Sequence, residues 1–284
     1  MSNGILSKEN EEHSLKMLAA QSILYDIAKR FTFVVVLFSV VLPLILSVVE
    51  FFITNTGIQT VIYSISICSI IISFFLNKQV KKKKELAALI QQKFDVYVYN
   101  MPWNISLFGR DKNVDYEIEK YCRKIIDNPK KKEDLKNWYT ASIDDKELLD
   151  GILSCQRTNC FWDIELRKRY RALIMIISGL ICAAIIVPSL MFKETLLDVI
   201  ARIFFVTPIF SWVSDTVVQL NEDIEELSEI DDVLKDTSEK QMDDLQQIQR
   251  MLYEHRKSCY KIPSIFYRLF KNHDEDLMHG TFSN

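Results

Sequence analysis

Four long apolar runs constrain this chain more than anything else in it: Phe31–Ile53, Ile58–Leu76, Ala172–Phe192 and Leu196–Val218. Each is about twenty residues, the length a helix needs to cross a hydrocarbon core of about 30 Å. In lipid an isolated segment must satisfy its own backbone hydrogen bonds, so helix is the form open to it. The runs come in two pairs, joined only by Thr54–Gly57 and by Lys193–Thr195. Loops that short leave no room for a domain on their side. The sequence therefore predicts an all-α membrane protein with four transmembrane helices arranged as two hairpins.

Flanking charge sets the expected orientation. Lys29 and Arg30 precede the first run, Lys78 and Lys81–Lys84 follow the second, and Arg167, Lys168, Arg169 and Arg171 precede the third. The hairpin loops offer only Lys193, beside Glu194. Basic residues stay cytoplasmic, so both termini and the long middle segment are expected inside. The first run is too long and lies too far from the N-terminus for a signal peptide. The expected division is an N-terminal amphipathic helix (1–30), a first transmembrane hairpin (31–76), a cytoplasmic helical domain (77–171), a second hairpin (172–218) and a cytoplasmic C-terminal helix and tail (219–284).

Outside the apolar runs the pattern is also helical. Leu15, Leu18, Leu24, Ile27 and Phe31 recur at helical spacing, while residues 1–7 read as loose. Glu85–Tyr97 continues the second run, Val98–Lys112 reads as a loop around Pro102 and Gly109, and Asp115–Ile126 is a further helix. From about Asp144 a helical pattern runs through Trp162 into the third run. Gln219 to about Lys257 reads as one long amphipathic helix, striped by Leu220, Ile224, Leu227, Leu234, Leu245, Ile248 and Leu252. That stripe suits packing on the chain's own helices or a contact between subunits. The segment Ile262–Lys271, aromatic and basic, suits either the membrane interface or plain packing.

The remaining chemistry is sparse. A net charge of −3 points to no nucleic-acid partner. The six cysteines form no C-x-x-C and the four histidines are scattered, so neither a zinc site nor a cofactor is expected. There is no G-x-S-x-G, Walker loop, G-x-G-x-x-G or H-E-x-x-H, and a non-enzymatic role is expected. The fourth run carries Asp198 and Arg202, four apart in the favourable acid-first order, and Asp215 near its far end. Charges in lipid are costly and usually face a bundle interior or water. These three are candidates for a polar path, against the plainer reading that they sit at the interface. Pro43, Pro188 and Pro208 can kink their helices, and Ser64, Ser66, Ser69 and Ser73 can join helices.

Several segments resemble one family, the SMODS-associated four-transmembrane effectors of bacterial anti-phage systems: AAQSILYDIAK (19–29), MPWNISLFG (101–109), LKNWYTA (135–141), ILSCQRTNCFWDIELRKRYR (152–171) and the tail 248–278. Met101 and a short interval between 113 and 134 depart from the family pattern. The resemblance implies a multi-pass protein of the bacterial inner membrane. It would be regulated by a cyclic di- or trinucleotide made on infection, and would permeabilise the bilayer as a homo-oligomer to arrest or kill the cell. A ligand-independent or protein-gated channel or toxin, a membrane scaffold and, more weakly, a transporter fit the same layout.

Two stretches could meet such a ligand. Gln156, Arg157, Asn159, Trp162, Asp163, Arg167 and Arg169 cluster where the soluble domain becomes the third run, and Trp103 and Asn104 form a second candidate. Arginine pairs bidentately with phosphate and tryptophan stacks on bases. The plainer reading is an anchoring collar with an Asp163–Arg167 pair one helical turn apart.

Overall fold

The structure is a computed structural model that describes residues 2–191, 195–236 and 241–266. Among these residues it is all-helical. Its frame is four rods. The first is α2 (Glu12–Val36), running through a π-helical turn, Leu37–Val41, into α3 (Leu42–Phe51), after a short α1 (Ile5–Glu9). The others are α4 (Thr56–Val98), α8 (Leu148–Met191) and α9 (Leu196–Asp236). Between α4 and α8 lie α5 (Ile105–Phe108), α6 (Asp111–Ile126) and α7 (Pro129–Glu133); α10 (Met242–Ser258) follows α9.

The last three rods contain 43, 44 and 41 residues. At 1.5 Å per residue they span roughly 60–65 Å, about twice a bilayer's hydrocarbon thickness. One half of each is apolar and exposed, as at Phe33, Val48, Ile67, Phe74, Ile176 and Leu197. The other half packs into a core. Glu12–Glu50 and Thr56–Val98 are long and apolar enough to cross a membrane. No helix breaks where the apolar half meets the polar half, because no Pro or Gly interrupts Leu76–Val98 or Ile152–Tyr170.

The core forms where the rods gather. Leu15, Leu18 and Leu24 of α2 bury against the face of α4 that carries Ala87, Ile90 and Phe94. Helix α6 lays Val114, Ile118 and Cys122, spaced four apart, on the same core. Leu227, Ile230 and Leu234 of α9 and Leu245, Ile248 and Leu252 of α10 complete it. A smaller cluster joins Tyr170 and Ile174 of α8 to Leu220, Ile262 and Phe266. Of the segment expected at the interface or in packing, Ile262 and Phe266 pack while Ile265 stays exposed; residues 267–271 lie outside the described residues.

Two expectations are corrected. The stretch Gln219–Lys257 is not one helix: α9 ends at Asp236 and α10 begins at Met242. Its new start is a capping box, in which the Gln241 and Asp244 side chains each take the other's backbone N–H. The break lets α10 pack against α4, α8 and α9 at once. The N-terminus is not loose. Asn3 Nδ2 donates to the Ile143 and Lys146 carbonyls at 2.6 and 3.1 Å, and Ile5 is fully buried. The π turn directly precedes Pro43, whose missing N–H removes one intrahelical bond.

Leu24→Ala should lower the unfolding free energy by about 2–5 kcal/mol, the range for a fully buried leucine. Phe33→Ala, on the exposed apolar face, should shift it by only about 0.5 kcal/mol. Thermal unfolding of the detergent-solubilised protein distinguishes the two.

Candidate functional site

Of the residues that the sequence singles out on α8, Gln156 and Arg167 are buried, and Gln156, Arg157, Asn159, Asp163 and Arg167 all bond to other elements. Gln156 Nε2 donates to the Leu245 carbonyl at 2.9 Å and to Gln249 Oε1 at 3.1 Å. Gln249 Nε2 in turn reaches Gln92 Oε1 and Asp95 Oδ2, at 3.0 and 2.8 Å. Arg256 Nη1 closes that relay on Asp95 at 2.5 Å. A buried chain of polar groups thus links α8, α10 and α4. Arg157 Nη2 donates to the Leu234 carbonyl at 2.7 Å, in the last turn of α9, where carbonyls lack intrahelical partners. Asn159 reaches the Tyr139 hydroxyl at 3.3 Å, and Tyr139 meets Tyr99 at 2.7 Å.

Arg167 is the centre of a second network and is almost fully buried. Its Nη1 donates to Asp223 Oδ2 at 2.5 Å and to the Tyr260 carbonyl at 3.1 Å, and its Nη2 donates to Asp163 Oδ2 at 3.2 Å. Asp223 also accepts the Tyr260 N–H at 2.8 Å. His255 of α10 joins in, with Nδ1 2.8 Å from Glu226 and Nε2 3.3 Å from Asp163. The pairing of Asp163 with Arg167 expected from their spacing is present, at 3.1 Å to Nε. It belongs to the bundle interior rather than to a surface collar.

The charges here hold one another. Burial alone would raise the Asp163 carboxyl, but the Arg167 guanidinium and the His255 hydrogen bond outweigh it and hold it well below the usual range. Burial likewise opposes the His255 cation. Its bonds to Asp163, Cys259 and Glu226 overcome this and lift its pKa to about 11. Trp162 and Arg169 are half-buried on the same helix.

A cavity of about 620 Å³ opens beside these networks, between α4, the 101–109 segment, α9 and α10. That volume lies within the about 300–1,000 Å³ common for small-molecule sites. The 101–109 segment is braced rather than slack. Asn104 Oδ1 accepts the Ser106 and Leu107 N–H groups, and Trp103 Nε1 donates to the Gly109 carbonyl at 2.9 Å. The Trp103 ring lies 4.9 Å from Phe108, which meets Tyr253 edge-on at 5.0 Å. Asn104 lines the cavity and Trp103 supports the wall. Sequence reasoning missed the rest of the lining, chiefly Glu226, Glu229, Gln246, Gln249 and Arg250. Glu226 and Glu229 lie on α9 and the other three on α10, and such polar residues read as solvated helix faces until the two helices are docked.

Glu226 and Gln249 belong to both arrangements. Each lines the cavity, and each bonds a residue of the buried networks that latch α10 to α8 and α4. The fourth-run candidates are separate from this site. Asp215 is exposed on α9, while Asp198 and Arg202 lie in its first two turns with side chains outside the described residues. Among the described residues no cluster of His, Cys, Asp and Glu is arranged to hold a metal ion.

Apolar rods that continue into a folded polar bundle define a helical membrane protein whose polar bundle carries a cavity of small-molecule size. The chain belongs to the SMODS-associating 4TM effector domain family, whose sequence profile matches residues 3–284. It is 28% identical over 183 residues to a probable CBASS effector molecule of Bacillus cereus (strain VD146). That match takes in 62% of this chain and 59% of the relative, so the chain spans about three fifths of the relative's length. No solved structure matches.

Arg167→Gln should destabilise the protein by about 3–5 kcal/mol, because Asp223 is left buried without its cation. The double variant Arg167→Met, Asp223→Leu should recover most of that loss in the same unfolding assay. His255 gives a pH signature. Its raised pKa means that its contribution is full below about 6.5 and is lost as pH climbs toward about 11. The melting temperature should fall between pH 7 and 10, and this fall should be shallower in His255→Gln.

Proposed function

We propose that this protein is a membrane effector of anti-phage defence that acts without catalysis. A cyclic nucleotide signal changes its state, and the changed state permeabilises the bacterial inner membrane. In this reading α8 and α9 supply a second membrane hairpin, giving four spans in all. Both termini and the 77–171 segment are cytoplasmic, and subunits assemble around a shared path. Asp198, Arg202 and Asp215 are the groups that would border water in that path.

The observation that carries the reading is the unbroken passage of the long helices from an exposed apolar half into the bundle that holds the cavity. Movement at the cavity then reaches the membrane through rigid helices rather than through loops. Family membership supports the effector role. The basic residues flanking the apolar halves, Lys78, Lys81–Lys84 and Arg171 among them, support the orientation. A ligand opens such an assembly only by binding its open form better than its closed form.

The test uses the full-length protein in sealed liposomes loaded with a small dye. Addition of a panel of cyclic di- and trinucleotides should release dye with at least one of them, and Asp215→Asn should change the ion preference of the leak. Liposomes that stay sealed to dye and ions, while cells expressing the protein still die on signalling, would overturn permeabilisation. They would favour a scaffold that recruits a killing partner.

A further inference from the structure

The cavity's lining has an unusual charge balance for a phosphate ligand. Its charged residues are Glu226, Glu229 and Glu254 against Arg250 alone. Two of the carboxylates are already engaged: Glu226 with His255 at 2.8 Å, and Glu254 with Lys257 at 2.8 Å. Glu229 and Arg250 carry no hydrogen bond or ion pair among the described residues. The remaining polar walls are amides, Gln92, Asn104, Gln246, Gln247 and Gln249, and Phe108 and Met101 are part of the apolar surface.

This balance selects for a particular edge of the ligand. A carboxylate accepts and never donates. Guanine presents two adjacent donors, N1–H and the N2 amino group, and a carboxylate can take both in a fork. Adenine presents one amino donor flanked by ring nitrogens whose lone pairs oppose a carboxylate. Amide side chains can serve either base, and one paired to N6 and N7 reads adenine, so the carboxylate is the group that separates guanine from adenine here. A ring beside Phe108 gains stacking whatever the base. The anionic backbone of the ligand has one cation to approach, Arg250, on the face of α10 that opens to solvent.

We propose that the cavity between α4, the 101–109 segment, α9 and α10 binds a guanine-containing cyclic dinucleotide, with Glu229 accepting the guanine donors and Arg250 pairing with a phosphate. This rests on the nucleotide-regulated reading above and adds the place and the base. It also gives the ligand a mechanical consequence. Glu226 and Gln249 share the cavity wall with the latch, so a base seated there competes for the groups that tie α10 to α8 and α4.

The test is calorimetric titration of the full-length protein in lipid nanodiscs with cyclic di-GMP, mixed cyclic GMP–AMP and cyclic di-AMP. Guanine-containing ligands should bind at least about tenfold tighter than cyclic di-AMP, the span of one good paired contact to a base edge. Glu229→Gln should erase that preference and leave cyclic di-AMP binding unchanged. Arg250→Ala should weaken all three alike. Glu229 is exposed and unpaired, so an unchanged melting temperature verifies that the variant is folded. Equal or tighter binding of cyclic di-AMP, or a preference that survives Glu229→Gln, overturns the assignment of guanine to this cavity while leaving nucleotide regulation standing. Absence of binding by all three overturns the cavity assignment, and nucleotide regulation falls with it only if the wider di- and trinucleotide panel also fails to release dye from liposomes.

Discussion

Arg167 is the interaction on which the rest of the arrangement depends. It sits where α8 passes from the apolar half to the bundle, and it is almost fully buried. Its guanidinium is shared among Asp163 on its own helix, Asp223 on α9 and the carbonyl of Tyr260. One cation thereby fixes the register of the two rods and pins the chain that follows α10. Moving a bare guanidinium into such a place costs several kcal/mol, and only this many partners offset it. The rods can slide or rotate past one another only by giving up several charged hydrogen bonds together.

The cavity and the networks form a single device because they share residues. Gln249 bonds to Gln156, Gln92 and Asp95 while facing the cavity, and Glu226 bonds to His255 in the same way. A group that occupies the cavity acts directly on these bonds. No long pathway of weakly coupled side chains is required. Helix α10 is the element that these bonds share, through Gln249 and His255. It is 17 residues long, lies against α4, α8 and α9, and is joined to α9 by a short connection.

Much of this was legible in the sequence, for a simple reason. Apolar runs of about twenty residues and heptad-like stripes are local patterns, and they report helices whatever the tertiary context. The continuation of Glu85–Tyr97 from the second run, and of the 152–171 segment into the third, follows from the absence of Pro and Gly. The direction in which polar side chains point was not legible. Gln156, Arg157, Asn159, Asp163 and Arg167 read equally well as a ligand site, a lipid collar or a buried latch, because helical spacing puts them together without saying what they face. The end of α9 was missed because no Pro or Gly marks it and a Gln-to-Asp capping box is a weak sequence feature; the gap in the stripe between Leu234 and Leu245 was the signal that could have found it. The anchoring of residues 2–5 was missed because it rests on carbonyls about 140 residues away in the chain.

The choice of buried charge over buried leucine at the junction bears on function. An apolar contact of the same area would hold the rods at least as firmly. It would also be indifferent to small rotations, since dispersion has no preferred partner. A guanidinium shared between Asp163 and Asp223 is satisfied in one geometry only. His255 extends this to α10, carrying its charge because Asp163, Glu226 and Cys259 surround it. A ligand that takes Glu226 removes one of those supports and leaves the remaining charges imperfectly paired. The strain is then carried by α8 and α9, the two rods whose opposite halves expose apolar faces. A junction stabilised by charge can therefore turn the exchange of a hydrogen-bond partner into a displacement of whole helices, which a leucine interface could not do.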